Sequence, residues 1–483
     1  MMRTVAGRLK NLRGAARILA FAAATLVPAQ SQAEPAIPPG IAIEADTIAV
    51  SSNGDVPDAS VGYIAYTAAD DANRPVLFAF NGGPGASSTF LHLGVLGPAR
   101  LEVPQDPTAH LPARAPVAAN TGNLLDIADI VFLDPPGTGF SSREGADAEV
   151  YNSVSGDARA VAQAVDAWLA ANGRSDAPVY ILGESYGTIR AVAMLDAFAA
   201  LESAPSIRGV VLLGQALNMI ETSQRPDNII SYVVSLPSLA AIACYHGKAS
   251  QPCTPQAIAD EAARFAHEEY LPALFAGETL PDAERHRIAA RLEALSGISA
   301  AFYLAHDLRI SKERFRVELL RDAGKVIGRY DARYLAPRPE DAGPVVGPDA
   351  FSAVSDLYAA AMPGYLGTIL PHLDAGTYKV IARPEGTWRY GGADSPFADW
   401  PFMEIVEQAA RSNACLRLFV GTGIFDLTTT IGAADYLFAQ TSLPPARYRA
   451  EEYGAGHMFY SDAAAREAFL EDMRSFIAAD GCP

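Results

Sequence analysis

The sequence predicts an α/β protein in which a doubly wound, largely parallel sheet is interrupted by an inserted, mainly helical cap. Three observations lead there. Near-continuous apolar runs alternate with segments of helical spacing, as central strands covered on both faces require. The pentapeptide Gly183-Glu184-Ser185-Tyr186-Gly187 sits between the apolar run Val179-Tyr180-Ile181-Leu182 and a helical run over 188–200. From about 215 to 378 the alternation stops, and it resumes only towards the end of the chain.

Taken in order, residues 41–50 and 61–67 alternate on either side of the turn-rich Ser51-Ser52-Asn53-Gly54-Asp55, which is a hairpin signal. Residues 75–80 and 129–133 read as buried central strands. The Ala- and Pro-rich stretch 103–119 reads as a surface loop. A helix is predicted over 153–171, with Val154, Val161, Val165, Trp168 and Leu169 on one face. The strand at Val179 and its following helix lead to another strand, 209–213. Residues 215–378 form the predicted cap, with charged segments at 282–291 and 311–321. Strand 416–420, helix 428–440, strand 448–453 and helix 463–478 then complete the sheet. The expected organisation is a leader over 1–33, a first core segment 34–214, the cap 215–378 and a second core segment 379–483.

Arg3, Arg8, Lys10, Arg13 and Arg17 precede a short apolar core over 18–27, and Ser31-Gln32-Ala33 supplies small residues for cleavage. That is the pattern of a secretory signal peptide, too short to cross a bilayer core of ~30 Å. Removing those five basic residues takes the formal net charge from −18 to −23. So acidic a surface repels nucleic acid and anionic membranes, and neither is an expected partner. The four cysteines of an exported chain predict two disulfides. Cys244 and Cys253 flank a short turn, and Cys415 precedes a strand whereas Cys482 is next to last, so the expected pairs are 244 with 253 and 415 with 482. No Cys-x-x-Cys spacing supports a zinc or redox site.

The pentapeptide reads as a nucleophile elbow, with Ser185 raised on a sharp strand-to-helix turn. A serine nucleophile needs a base, and the base needs an orienting carboxylate. Asp426, in Gly421-Thr422-Gly423-Ile424-Phe425-Asp426, and His457, in Gly454-Ala455-Gly456-His457-Met458, each follow a predicted strand at its carboxyl end. The order Ser185, Asp426, His457 is that of the α/β-hydrolase fold. Each residue also has a plainer reading. Asp426 precedes Thr428-Thr429-Thr430 and fits a helix cap, and an isolated loop histidine is usually structural. His92, within Phe90-Leu91-His92-Leu93, reads as a packed core residue. For the oxyanion, the backbone of Tyr186 and of Asn81-Gly82-Gly83-Pro84-Gly85 offers donors. A phosphate loop is disfavoured because no Gly-Lys-Ser/Thr follows those glycines.

Four blocks in order resemble the serine carboxypeptidase family: Asn81-Gly82-Gly83-Pro84-Gly85-Ala86-Ser87-Ser88, Phe132-Leu133-Asp134-Pro135-Pro136-Gly137-Thr138-Gly139-Phe140-Ser141, the Ser185 elbow, and Gly456-His457-Met458. The resemblance spans about 41–476. It implies that Asn81, Gly82 and Glu184 hold the free carboxylate of a peptide and that the N–H groups of Gly83 and Tyr186 form the oxyanion hole. It further implies release of single C-terminal amino acids through an acyl-enzyme on Ser185, with no cofactor or metal. Three departures stand out: Ala86 replaces the usual Cys, Ala79 the usual Trp, and the Val-Pro after the Met is missing. An esterase or acyltransferase on the same scaffold is the alternative, and a binding protein without activity is a third. Monomer and homodimer remain equally open.

Overall fold

A computed structural model describes residues 37–479 and 482, apart from 53–55, 69–72, 144–147, 202–203, 251, 341, 344–346, 385 and 392–399. The leader over 1–33 lies outside the described residues. The described residues form one compact unit, cap and core together.

Twelve strands are present among the described residues. Eight of them, β1 (Ile41–Val50), β2 (Ala59–Ala68), β3 (Val76–Phe80), β6 (Asp129–Asp134), β7 (Val179–Glu184), β8 (Ile207–Leu213), β11 (Arg417–Gly423) and β12 (Tyr448–Tyr453), make one sheet. Its order is β1-β2-β6-β3-β7-β8-β11-β12. The first two pairings, β1 with β2 and β2 with β6, are antiparallel, and the other five are parallel. This is the α/β-hydrolase fold expected from the alternation of strands and helices.

The buried strands feed two apolar layers. In β3, Val76, Phe78 and Phe80 face one layer while Leu77 and Ala79 face the other, because successive side chains point to opposite faces. The first layer is closed by the helices Val154–Ala171, Tyr186–Ala199, Phe402–Ser412 and Ile431–Ala439. The second is closed by Ser352–Ile369 and Ala463–Ala478. The helix Ser352–Ile369 falls within the stretch expected to be cap, yet its Val354, Tyr358, Met362 and Leu366 pack in the core layer. Its strongly apolar character demands that burial.

Three further expectations need correction. Residues 103–119 are not wholly loop, because β5 (Val117–Ala119) pairs antiparallel with β4 (Ala99–Leu101). The elbow helix starts at Tyr186 rather than Thr188. The helix expected from Thr428 starts at Ile431, because Asp426 Oδ1 accepts the backbone N–H of Thr428 and Thr429 and holds them in a turn. The remaining two strands, β9 (Lys325–Ile327) and β10 (Leu335–Pro337), form an antiparallel ribbon in the cap.

The rest of the cap is mainly helical, with its own apolar cluster built on Leu239, Ile242, Phe265, Leu292 and Phe315. Ile424, Phe425, Leu427 and Ile431 from the second core segment join that cluster. The cap is thus packed onto the loop that carries Asp426. Both expected disulfides are present, Cys244 with Cys253 and Cys415 with Cys482. Among the described residues no helix is long and apolar enough to cross a membrane.

Candidate active site

Ser185 stands between the end of β7 and the first turn of the helix Tyr186–Ala199. Its φ of 58° and ψ of −125° lie where non-glycine residues rarely sit, so the turn is held by its surroundings. Its own N–H donates to Leu213 O at 2.8 Å. Leu213 ends the neighbouring strand β8, and the next residue lies against His457. A Cβ on Gly214 would stand 2.8 Å from His457 Cε1, so the imidazole lies directly over the strand end that anchors Ser185.

His457 Nδ1–H donates to Asp426 Oδ2 at 2.6 Å, with both side chains buried. Thr429 Oγ1–H donates to the same oxygen at 2.6 Å. Asp426 therefore acts both as the turn former its sequence context allowed and as the partner of the histidine. Burial pulls the imidazole pKa down, but the adjacent Asp426 charge and hydrogen bond prevail, and the pKa lies above its ordinary value. His457 Nε2 is buried and makes no hydrogen bond among the described residues, which leaves it the free lone pair of the pair. His92, by contrast, is packed flat against Phe132 and bonded to Tyr66 Oη at 2.7 Å, and burial pushes its pKa down to about 3.

The Asn81 loop lies hard against the elbow. A Cβ on Gly82 would stand 2.6 Å from both Glu184 O and Tyr186 N, so only glycine permits this approach. Behind the loop a buried ion pair fixes the backbone: Arg190 Nη1–H donates to Asn81 O at 2.7 Å and Nε–H to Asp157 Oδ2 at 2.7 Å. Tyr186 Oη–H reaches the same carboxylate at 3.0 Å. The second motif block packs alongside through Asp134, whose Oδ1 accepts Ser88 N–H, Ser88 Oγ–H and Tyr378 Oη–H. The N–H of Tyr186, first residue of its helix, has no intrahelical acceptor.

Glu184 is buried beside Ser185, and burial pushes its carboxyl pKa up to about 7. The His457 charge and hydrogen bonds from Tyr460 and Asn81 act the other way, and the Asp426 charge adds to the rise. Asn81 Nδ2–H donates to Glu184 Oε2 at 3.1 Å, so two of the three residues expected to hold a carboxylate touch each other, with Gly82 between their backbones.

Sequence reasoning missed the residues that brace this site. Residues 329–332 of the cap bridge the Asp426 and His457 loops: Leu427 N–H donates to Arg329 O at 3.0 Å and Ala332 N–H to Phe425 O at 3.0 Å. On the other side His457 N–H donates to Tyr330 O and Gly456 N–H to Asp331 Oδ2 at 3.1 Å. Lys312 Nζ adds a bond to Thr428 O at 3.1 Å. Tyr460, three residues after His457, donates to Glu184 Oε2. The only sequence signal for it is its place in the same short turn, Phe459–Ser461. Among the described residues no group of three or more His, Cys, Asp or Glu is placed to hold a metal.

A family model described as serine carboxypeptidase matches residues 53–204. The match covers less than half of the chain. The matched stretch holds the Asn81, Phe132 and Ser185 blocks, whereas Asp426 and His457 lie beyond it and are joined to it by the geometry above. No curated protein matches the chain. Similar solved structures include a carboxyl esterase from Bacillus coagulans, 13% identical over 91% of this chain and 99% of that one, with a TM-score of 0.40. A peroxisomal α/β-hydrolase from Saccharomyces cerevisiae is 11% identical over 92% of each chain, TM-score 0.37. Potato (Solanum tuberosum) epoxide hydrolase I is 13% identical over 90% of this chain and 99% of that one, TM-score 0.36. At such scores these likenesses carry no argument, and the fold rests on the chain's own strand order.

Proposed function

We propose that the protein is an exported serine carboxypeptidase that releases C-terminal amino acids from peptides. The observation that carries this beyond a general serine hydrolase is Glu184, a buried carboxyl with a pKa of about 7, adjacent to Ser185 and bonded to Asn81. A carboxyl that stays protonated at mildly acidic pH hydrogen-bonds to a carboxylate instead of repelling it. Holding the terminal carboxylate there fixes the last peptide bond over Ser185. An ester substrate has no use for that arrangement.

In this reading His457 Nε2 takes the proton of Ser185 Oγ as the oxygen attacks the last peptide carbonyl. The N–H groups of Gly83 and Tyr186 take up the charge that develops on the carbonyl oxygen. Asp426 holds the imidazole tautomer and stabilises its charged form. The protonated His457 passes its proton to the leaving amine, and water, deprotonated by the same imidazole, then hydrolyses the acyl-enzyme. Asn81, Gly82 and Glu184 hold the carboxylate throughout. The basic and apolar leader together with the two disulfides supports export.

The deciding experiment compares one peptide as free acid, as amide and as ester, alongside labelling by a fluorophosphonate. Labelling at Ser185 with a strong preference for the free acid is expected. Equal hydrolysis of all three would return the protein to the esterases, and absence of labelling would make it a binding protein.

A further inference from the structure

Glu184 Oε2 receives two donors, Asn81 Nδ2–H at 3.1 Å and the hydroxyl of Tyr460. Glu184 Oε1 makes no hydrogen bond among the described residues. An oxygen that already accepts two hydrogen bonds is a poor site for a proton, so a neutral Glu184 carries its proton on Oε1. The carboxyl is thereby presented in one orientation, as a donor. We infer that Tyr460 is the positioning residue that fixes this orientation and so sets the preference for a substrate carboxylate over a neutral terminus, an inference that rests on the carboxypeptidase reading.

The fold gives Tyr460 no other place. Its ring is fully buried and lies on Gly94, where a Cβ would stand 2.4 Å from Tyr460 Cε2. The turn Phe459–Ser461 that carries it follows His457 and Met458 directly, so one short segment delivers both the base and the hydroxyl. It also occupies the stretch where the family's Val-Pro is missing, and Ala79, in the position of the family's Trp, has no side-chain donor to offer. The other charged or titratable groups that act on Glu184 are His457, Asp426, Tyr330 and Tyr358. None of these is hydrogen-bonded to its carboxyl. A phenol hydroxyl pointed at a carboxylate favours the ionised form, so Tyr460 also keeps Glu184 from being protonated at higher pH.

The test is Tyr460→Phe, assayed on one peptide as free acid and as amide across the pH range. The free-acid kcat/KM should fall about tenfold more than the amide value, mostly in KM, through loss of the one hydrogen bond that orients the Glu184 carboxyl. The alkaline fall of the free-acid profile should move to higher pH. Gly94→Ala, which keeps the hydroxyl but pushes the ring away, should act in the same direction. If both substrates fell equally and the free-acid profile kept its position, Tyr460 would be packing alone and the inference overturned, with the carboxypeptidase reading intact. A wild-type enzyme without preference for the free acid would overturn that reading and the role of Tyr460 with it.

Discussion

The backbone N–H of His457 donates to the carbonyl of Tyr330 at 2.5 Å, and the Tyr330 ring stands edge-on to the imidazole with centroids 5.0 Å apart. A residue of the inserted cap therefore holds the residue placed to act as base. The adjacent Asp331 does the same for Gly456 and is itself fixed by Arg333, whose Nη2–H donates to Asp331 Oδ2 at 2.8 Å. Asp349 completes the brace by accepting the N–H groups of Arg329 and Tyr330, each at 2.9 Å. Asp331→Asn should lower kcat roughly tenfold with little change in KM, since a displaced imidazole misaligns the reaction without touching the carboxylate site. Steady-state kinetics on a free-acid peptide reads this split, and an unchanged kcat would leave the brace without catalytic consequence.

Gly82→Ala tests the fit of the Asn81 loop on the elbow. The added Cβ would meet two backbone atoms at 2.6 Å, and neither the Glu184 carbonyl nor the Tyr186 nitrogen can turn aside as a side chain would. The loop must retreat and take the Gly83 N–H with it. If that N–H is the oxyanion donor proposed above, its loss predicts a fall in kcat of about a hundredfold or more. Circular dichroism should show the fold retained.

Ser185→Ala should abolish fluorophosphonate labelling and lower turnover by about a millionfold, as should His457→Ala on turnover. The serine variant keeps the same strained φ and loses one hydroxyl, so its thermal midpoint should stay close to wild type. Labelling that survived in Ser185→Ala would move the nucleophile elsewhere.

Glu184→Gln separates charge from hydrogen bonding. With its carboxyl at about 7, wild-type efficiency on free acids should decline as pH rises through that value, while amide hydrolysis holds up better. The variant should show a flatter alkaline side. Stability follows the same sign: the folded carboxyl binds its proton more tightly than the unfolded one, whose ordinary value is 4.5. Wild type therefore loses stability as pH rises from about 4.5 to about 7, and Glu184→Gln does not. Thermal midpoints at pH 4 and pH 8 should diverge between the two proteins.

The bridge from Cys415 to Cys482 closes a loop across 67 positions and ties the chain end to the entry of β11. Replacing both by Ser should cost about 2–5 kcal/mol, seen by denaturant titration. Hydrogen exchange should rise first in the helix Ala463–Ala478, which ends just before Cys482.

The sequence alone determined what local pattern can carry. Apolar runs such as 76–80, 129–133 and 179–182 read as covered strands, the glycine-flanked Ser185 between strand and helix patterns read as a turn, and strand ends pointed to Asp426 and His457. The two cysteine pairs followed from their positions around a turn and at the edges of the second core segment. Tertiary structure decided the rest, because the groups concerned meet across long separations that no periodicity records. Tyr460 and Glu184 are 276 residues apart, and Asp331 and Gly456 are 125 apart. Residues 329–333 read locally as one more charged stretch of a helical cap, and the helix Ser352–Ile369 as part of that cap. Only the packed molecule shows the first bracing the Asp426 and His457 loops and the second buried against the sheet, since burial in a folded chain is set by what arrives on the other side.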